Sequence, residues 1–522
     1  MNGKCTKDGI RRFITNFSRG ALYALAAGML VWLNWNALFA GSQWYEQELG
    51  LNVAAIRLLL FILAALAAAG LGFLLDRLTV HKDRLEVIVL CICCLVFWLA
   101  CVWWVYKVPY GMVGDQSIVW YNSVLALQGD FTMYQHGGQI FIYPQQQGLS
   151  FLYELLFRIT GNTAPKLIGY VNAALAPVTL LFGYLSVREC ADRKTAAYFL
   201  PLMILCLPYI IYSPYVYGDI PSISLSFVLL WAVLKFAGSR KYLFAALACV
   251  TAALALLCRM NMWIFFIGLI IGLLYETLDK WQIKPVLFAL CIVLCASLGV
   301  NGVKQFNSLR SGYPVSKGMP SVLWMAMGLQ FSEYGAGYYN NYSKWVFEQT
   351  DFDRELAAKI GTQEIKDRLD IFLSDSYQTR LFFQQKLYSQ WIDPLFESMK
   401  FTGTFDGEPD YTILGLYYGE GHRTIRRFTG CMLSVIYFFA LVGIIFRFFK
   451  KKSILQDSAL IIFVGGFLFS VIWEAKARYM LPYFVLLHMY AAFGLRYTAM
   501  QIKIIFKKYK GFLRKGKVKS IE

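Results

Sequence analysis

Charge is scarce in this chain. Only 16% of its 522 residues are Asp, Glu, Lys or Arg, against 58% hydrophobic and 17% aromatic residues, and the mean hydropathy of +0.50 is too apolar for a soluble enzyme. Histidine is scarcer still: His81, His136, His422 and His488 show no metal-ligand spacing, so nothing supports a zinc site. Of the 12 cysteines, most, including Cys91, Cys93 and Cys94, lie inside apolar runs and none falls between residues 304 and 428, which argues against an extracytoplasmic disulfide framework. The sequence also lacks a Gly-rich phosphate loop on a strand, an internal repeat, a low-complexity tract and a Pro-rich linker. These absences remove a nucleotide-binding α/β domain and any detachable module.

What is present is a series of apolar runs, several reaching about 20 residues, the length needed to cross a bilayer. They predict an all-α polytopic membrane protein of about twelve transmembrane helices. The spans lie near 20 to 41, 54 to 75, 85 to 106, 165 to 187, 195 to 216, 219 to 237, 241 to 258, 260 to 277, 284 to 303, 429 to 447, 457 to 473 and 479 to 498. The first run is long, Trp-rich and soon followed by another, so it reads as a retained helix and not as a signal peptide. Lys4, Lys7, Arg11, Arg12 and Arg19 precede it and place the N-terminus in the cytoplasm. The same orientation puts Asp76 to Arg84, Arg188 to Lys194, Lys235 to Lys241, Glu276 to Lys284, Arg447 to Ser453 and the tail from Lys503 to Lys519 inside, and nearly all are rich in Lys or Arg. Both termini are therefore expected in the cytoplasm of a plasma-membrane protein. The formal charge of +18 then faces membrane lipid, and nucleic acid is not a partner.

Two long segments fall outside. The first, 107 to 164, holds the stretch Val108 to Leu149 around which the rest is organised: Gly114-Asp115-Gln116, an amphipathic segment to Leu127, Gly129-Asp130, Gly137-Gly138 and Tyr143-Pro144. An apolar stretch from Leu149 to Ile159 follows, too short to cross and suited to the interface. The second, 304 to 428, mixes acids and bases and reads as a small, mostly helical extracytoplasmic domain, with helices over about Ser343 to Leu373 and Ser376 to Trp391. The chain thus divides into 1–84, a cytoplasmic tail and two added spans; 85–303, a membrane core; 304–428; 429–498, the last spans; and 499–522, a basic tail.

Charges at the outer helix ends form the candidate site. Asp115 follows one span, Asp219 lies between two, Arg259 and Asn261 fill a short turn, and Glu474, Lys476, Arg478 and Tyr479 sit between the last two spans. Charges closely flanked by apolar helix are costly unless they line a wet cavity, so their convergence on one side marks a site. Taken singly, an outer-edge charge is more often a solvated helix end or a snorkelling anchor, which is how Arg57, Lys166 and the i, i+4 pair Glu154 and Arg158 are read. Asp130 reads as a turn former.

An acid in the first outer loop, Tyr143-Pro144 after it, Gly218-Asp219-Ile220-Pro221 at the head of a later span and Glu474-Ala-Lys-Ala-Arg-Tyr-Met-Leu-Pro482 near the end together resemble the glycosyltransferase-C superfamily. Within it, the pattern is similar to bacterial relatives of the protein O-mannosyltransferase and aminoarabinose transferase group. Trp324 to Leu329, Gly337 to Asn340 and Trp391 to Pro394 look like its Gram-positive branch. The resemblance covers about residues 85 to 498. It implies transfer of a sugar from a polyprenyl-phosphate donor to a glycopolymer, lipid or protein acceptor at the outer face, with Asp115 as general base and inversion by single displacement. The phosphate leaves as an anion that Arg259, Lys476 and Arg478 are suited to hold, with Asp219, Asn261, Glu474, Tyr479 and Tyr143 in support. Many relatives carry adjacent acids in the first loop. Here Gln116 follows Asp115, which puts a bridging divalent cation in doubt and leaves the cofactor open. A transporter or flippase of lipid-linked sugar would share the span count, but its site belongs near the midplane and often within a repeat; a polysaccharide polymerase or ligase is the other alternative.

Overall fold

The computed structural model describes residues 2–40, 52–79, 83–280, 282–450 and 453–518. His81, the connection between the first two spans and parts of the predicted basic loops lie outside the described residues. The chain is an all-α polytopic membrane protein. Among the described residues nine helices are long and apolar enough to cross a bilayer: Phe13–Phe39, Leu58–Leu78, Asp83–Lys107, Pro165–Cys190, Asp219–Ser239, Met260–Asp279, Lys284–Ser311, Glu420–Phe449 and Ile454–Ile472. The other three predicted spans correspond to the shorter helix Tyr242–Cys258, the helix Leu481–Val518 and a broken pair, Arg193–Ile204 and Leu207–Ile211.

That break follows from proline. Pro208 falls in the first turn of the second piece, where its missing N–H is harmless, but it cannot continue the helix before it. Beyond Tyr212 the chain runs without regular structure to Gly218. Asn172, fully buried on the Pro165–Cys190 helix, donates from Nδ2 to the carbonyls of Ser213 and Tyr215 at 3.0 and 2.9 Å, supplying partners that a helix would otherwise provide.

One end of the bundle is tied by ion pairs between the loops predicted to share a side. Glu86 binds Arg188 and Arg193 at 3.0 and 2.8 Å, Lys235 binds Glu189 at 2.6 Å, and the buried Arg447 binds Asp457 at 2.6 Å. Tyr23 of the first helix donates to Asp457 at 2.8 Å, which ties that helix to the same network.

At the other end, the 304–428 segment is built into the bundle. The predicted helix 343 to 373 is two helices, Tyr342–Gln349 and Arg354–Ser374, because Asp351 and Phe352 take left-handed backbone angles and the Asp353 carboxylate caps the second helix through the N–H groups of Glu355 and Leu356. The Ser376–Trp391 helix ends in the core: Trp391 is fully buried, donates to Ser470 at 3.0 Å and accepts from Tyr437 through its carbonyl at 2.7 Å. Residues 404 to 406 then hold the chain leading to Asp115, by Gly111 N–H to Thr404 at 2.8 Å and Asp406 N–H to Pro109 at 2.8 Å.

Glu154 is more deeply engaged than an i, i+4 pair. It is 2% exposed; besides Arg158 at 2.8 Å it accepts a two-pronged contact from Arg310, at 2.6 and 2.5 Å, at the end of the Lys284–Ser311 helix. Three aromatic rings, Phe131, Phe151 and Phe306, surround the Arg310 guanidinium. Arg310→Met is therefore expected to destabilise the protein by about 3 kcal/mol or more, since it leaves a buried carboxylate half-compensated. Arg158→Met, at a side chain 52% exposed, should cost about 1 kcal/mol or less. Thermal unfolding in detergent ranks the two, and equal melting temperatures would show that the fork contributes nothing.

Candidate active site

Asp115 is the first residue of the helix Asp115–Leu127, where the positive end of the helix dipole suits a carboxylate. Its side chain is 45% exposed and lies 3.7 Å from the Arg478 guanidinium, which is 3% exposed. Two chain ends separated by more than 350 residues thus meet at one point.

Asp219 likewise opens a helix, Asp219–Ser239, and forms a buried ion pair with Arg259, which caps the end of Tyr242–Cys258. The approach depends on Gly218: a Cβ there would drive into the Cys258 carbonyl, so no other residue lets these two turns touch. Arg259 lies over the rings of Tyr217 and Tyr479, at 5.5 and 5.2 Å. Arg478 donates to the Tyr215 hydroxyl and packs over Phe401, 4.7 Å from the ring centre. Its Nε has no partner among the described residues.

Glu474 does not pair with Arg478. It binds Lys476 at 2.7 Å and accepts from the Tyr479 hydroxyl at 3.0 Å. Burial works against the Lys476 charge, yet Glu474 outweighs it and holds the ammonium above its ordinary range. Lys476 also faces the rings of Tyr339 and Tyr338 at 5.3 and 6.0 Å. Tyr143 is half-buried beside Trp324, 6.1 Å between rings; burial, then the nearby Tyr339 and Asp115, push its phenol well above the usual value. Asn261 sits half-buried in the turn Met260–Met262 and joins none of these ion pairs.

The charge balance of this cluster is uneven. Among the cations Arg478, at 3% exposure, is buried and Arg259 and Lys476, at 9 and 14%, are largely so; Asp219 and Glu474, at 2 and 4%, are two buried carboxylates. Asp115 supplies the third negative charge from the rim. The buried part therefore has room for one more anion. Asp219 and Glu474 are each occupied by a protein cation, with which a divalent cation would have to compete for their oxygens.

The structure brings together Asp115, Asp219, Arg259, Glu474, Lys476, Arg478 and Tyr479, with Tyr143 close by. Sequence reasoning missed Tyr215, Tyr217, Phe401 and Asn172. The two tyrosines lie at i, i+2 beside Pro214 in an apolar context, a pattern of extended chain that could have drawn notice; Phe401 has no local signal at all.

No family model matches the sequence, and no curated protein matches it. Among solved structures the chain is similar to the archaeal oligosaccharyltransferase AglB from Archaeoglobus fulgidus in complex with an inhibitory peptide and a dolichol-phosphate, with 14% identity and a TM-score of 0.43 over 82% of this chain and 52% of that one. It is also similar to the Archaeoglobus fulgidus oligosaccharyltransferase tethered with an acceptor peptide, at 14% identity and a TM-score of 0.44 over 82% and 50% of the two chains. The apo form of that enzyme gives 13% identity and a TM-score of 0.37 over 90% and 52%. This chain spans about half the length of those proteins.

Proposed function

We propose that this protein is an inverting membrane glycosyltransferase that moves a sugar from a polyprenyl-phosphate donor to a cell-envelope acceptor at the extracytoplasmic face. The observation that carries this reading is the buried excess of one cation beside a half-exposed carboxylate. A phosphodiester monoanion balances the inner part of the cluster, apart from Asp115 at the rim, and Arg478, with its unpartnered Nε, is the group that would grip it. Asp115 takes the proton of the acceptor hydroxyl; the hydroxyl oxygen bonds to the anomeric carbon as the bond from that carbon to the phosphate oxygen breaks. The electron pair leaves on polyprenyl phosphate, whose growing charge Arg478, Lys476 and Arg259 stabilise.

The purified chain should release polyprenyl phosphate from a synthetic polyprenyl-phosphate hexose or pentose only when a cell-envelope acceptor is supplied. Movement of the intact lipid-linked sugar across proteoliposomes, with no release, would instead show a flippase.

Sidedness has its own test. The exposed Val113 and Lys359 are the positions to replace by cysteine, with Ser239 for the opposite end. An impermeant thiol reagent on intact cells should modify the first two and spare the third. The reverse pattern would place the site in the cytoplasm.

A further inference from the structure

Beneath the Trp473-to-Arg478 turn lies a lysine that the reaction above leaves unused. Lys386, on the Ser376–Trp391 helix, is 0% exposed, and its Nζ donates to the Gly328 carbonyl. An ammonium has three donors, so one carbonyl satisfies it only in part. Burial lowers its pKa to about 7, with Glu474 pulling the other way.

The lysine holds both ends of one loop. Gly328 is packed so closely on Ile472 and Trp473 that a Cβ would lie 2.7 and 2.8 Å from their carbonyl oxygens. Gly337 has φ +73° and rests on the lysine stem, where a Cβ would lie 2.9 Å from Cε, and its carbonyl accepts from Ala475 N–H at 2.7 Å. The loop 328–337 is thus clamped between Lys386 and the turn that carries Glu474, Lys476 and Arg478.

The charges around it are few. The hairpin strand Gly335–Ala336 and the helix Ser458–Ile472 bring none. The Arg354–Ser374 helix brings Glu364 and Arg368, which bind each other at 2.7 Å, and the turn Ala477–Tyr479 brings Arg478, which faces Asp115 and Tyr215. Among the described residues Glu474 is the charged side chain that acts on Lys386.

We infer that Lys386 is a positioning residue of the donor-phosphate site, fastening the loop under the turn and taking up the Glu474 charge when the phosphate draws Lys476 away. The inference rests on the proposed donor. Its consequence is linkage: donor binding leaves Glu474 facing Lys386 and so favours the protonated lysine. A group whose pKa rises on binding strengthens binding below its free-state value and loses that contribution as pH climbs past it. Binding should therefore be tightest below about pH 7 and weaken above it, by about tenfold in all.

The test measures binding of the methyl diester of farnesyl phosphate, whose single charge does not titrate near neutrality, to the full chain in nanodiscs from about pH 6 to about pH 9. Lys386→Met should bind about tenfold more weakly at the acid end, the worth of a charged hydrogen bond, and show no pH dependence. Lys386→Arg should bind at the acid end as the parent does and stay flat at alkaline pH, because arginine keeps its charge; it carries the test where the methionine variant does not fold. A purely structural lysine would change the melting temperature and leave the slope intact. A parent that binds with no pH dependence, or a Lys386→Met that keeps the parent's affinity and slope, overturns the inference alone. A parent that binds no diester overturns the donor assignment together with it.

Discussion

Asp115→Asn is expected to slow sugar transfer by about 10²- to 10⁴-fold, the usual loss when a positioned general base is removed. The change is isosteric at a side chain 45% exposed, and its structural penalty is the loss of a helix-dipole interaction, about 0.3 to 1 kcal/mol, and of a long, rim-side ion pair with Arg478. Insertion and folding should therefore be unaffected. Donor binding should tighten, because Asp115 is the carboxylate that balances Arg478 at 3.7 Å and asparagine withdraws that competition for the guanidinium. Single-turnover rates and diester affinity measured on one preparation separate the two effects. Activity within a few-fold of the parent would remove Asp115 from the role of base, and weaker donor binding would show that it holds the donor and does not compete with it.

Much of this architecture was legible in the sequence because a bilayer imposes a simple rule on composition. Apolar runs bounded by charge mark the helices, and all twelve predicted spans correspond to helical segments of the described chain. The convergence of Asp115, Asp219, Arg259 and the Glu474-to-Tyr479 turn was legible for the same reason: each is a charge the membrane would otherwise expel. What sequence could not show is pairing. Glu474 was as well placed by sequence to bind Arg478 as Lys476, and only the turn between them directs Arg478 to Asp115 and Tyr215. Glu154 read as a local helical pair because i, i+4 spacing is visible in sequence, whereas its second partner, Arg310, is 156 residues away. The break after Ile204 was hidden by hydropathy, which stays high through Pro201, Pro208 and Pro214 and says nothing of backbone direction. Neither Lys386 nor Phe401 sits in a pattern of its own; each matters through what the fold lays against it.

Arg478→Ala is expected to weaken donor binding and slow transfer together, the rate by about 10²- to 10³-fold, as for loss of one donor to a developing oxyanion. The same guanidinium grips the phosphate in the ground state and strengthens its hold as charge grows on the leaving oxygen, so both constants must move. Arg478→Lys should recover only part, because a point charge cannot reproduce a planar fork that binds two oxygens. The competing account is structural: Arg478 is buried against Phe401, Tyr215 and Tyr217, and alanine leaves a hole there. Tyr215→Phe discriminates. It removes the hydroxyl that accepts from Arg478 but keeps the ring and the guanidinium, freeing a further donor for phosphate. A phosphate-binding arginine should then hold the diester at least as well as in the parent, whereas an arginine that serves only to fix the turn through Tyr215 should lose stability in both variants alike. Melting temperature and diester affinity, read side by side, decide between them: an Arg478→Ala protein that melts lower yet binds donor like the parent would end the phosphate assignment.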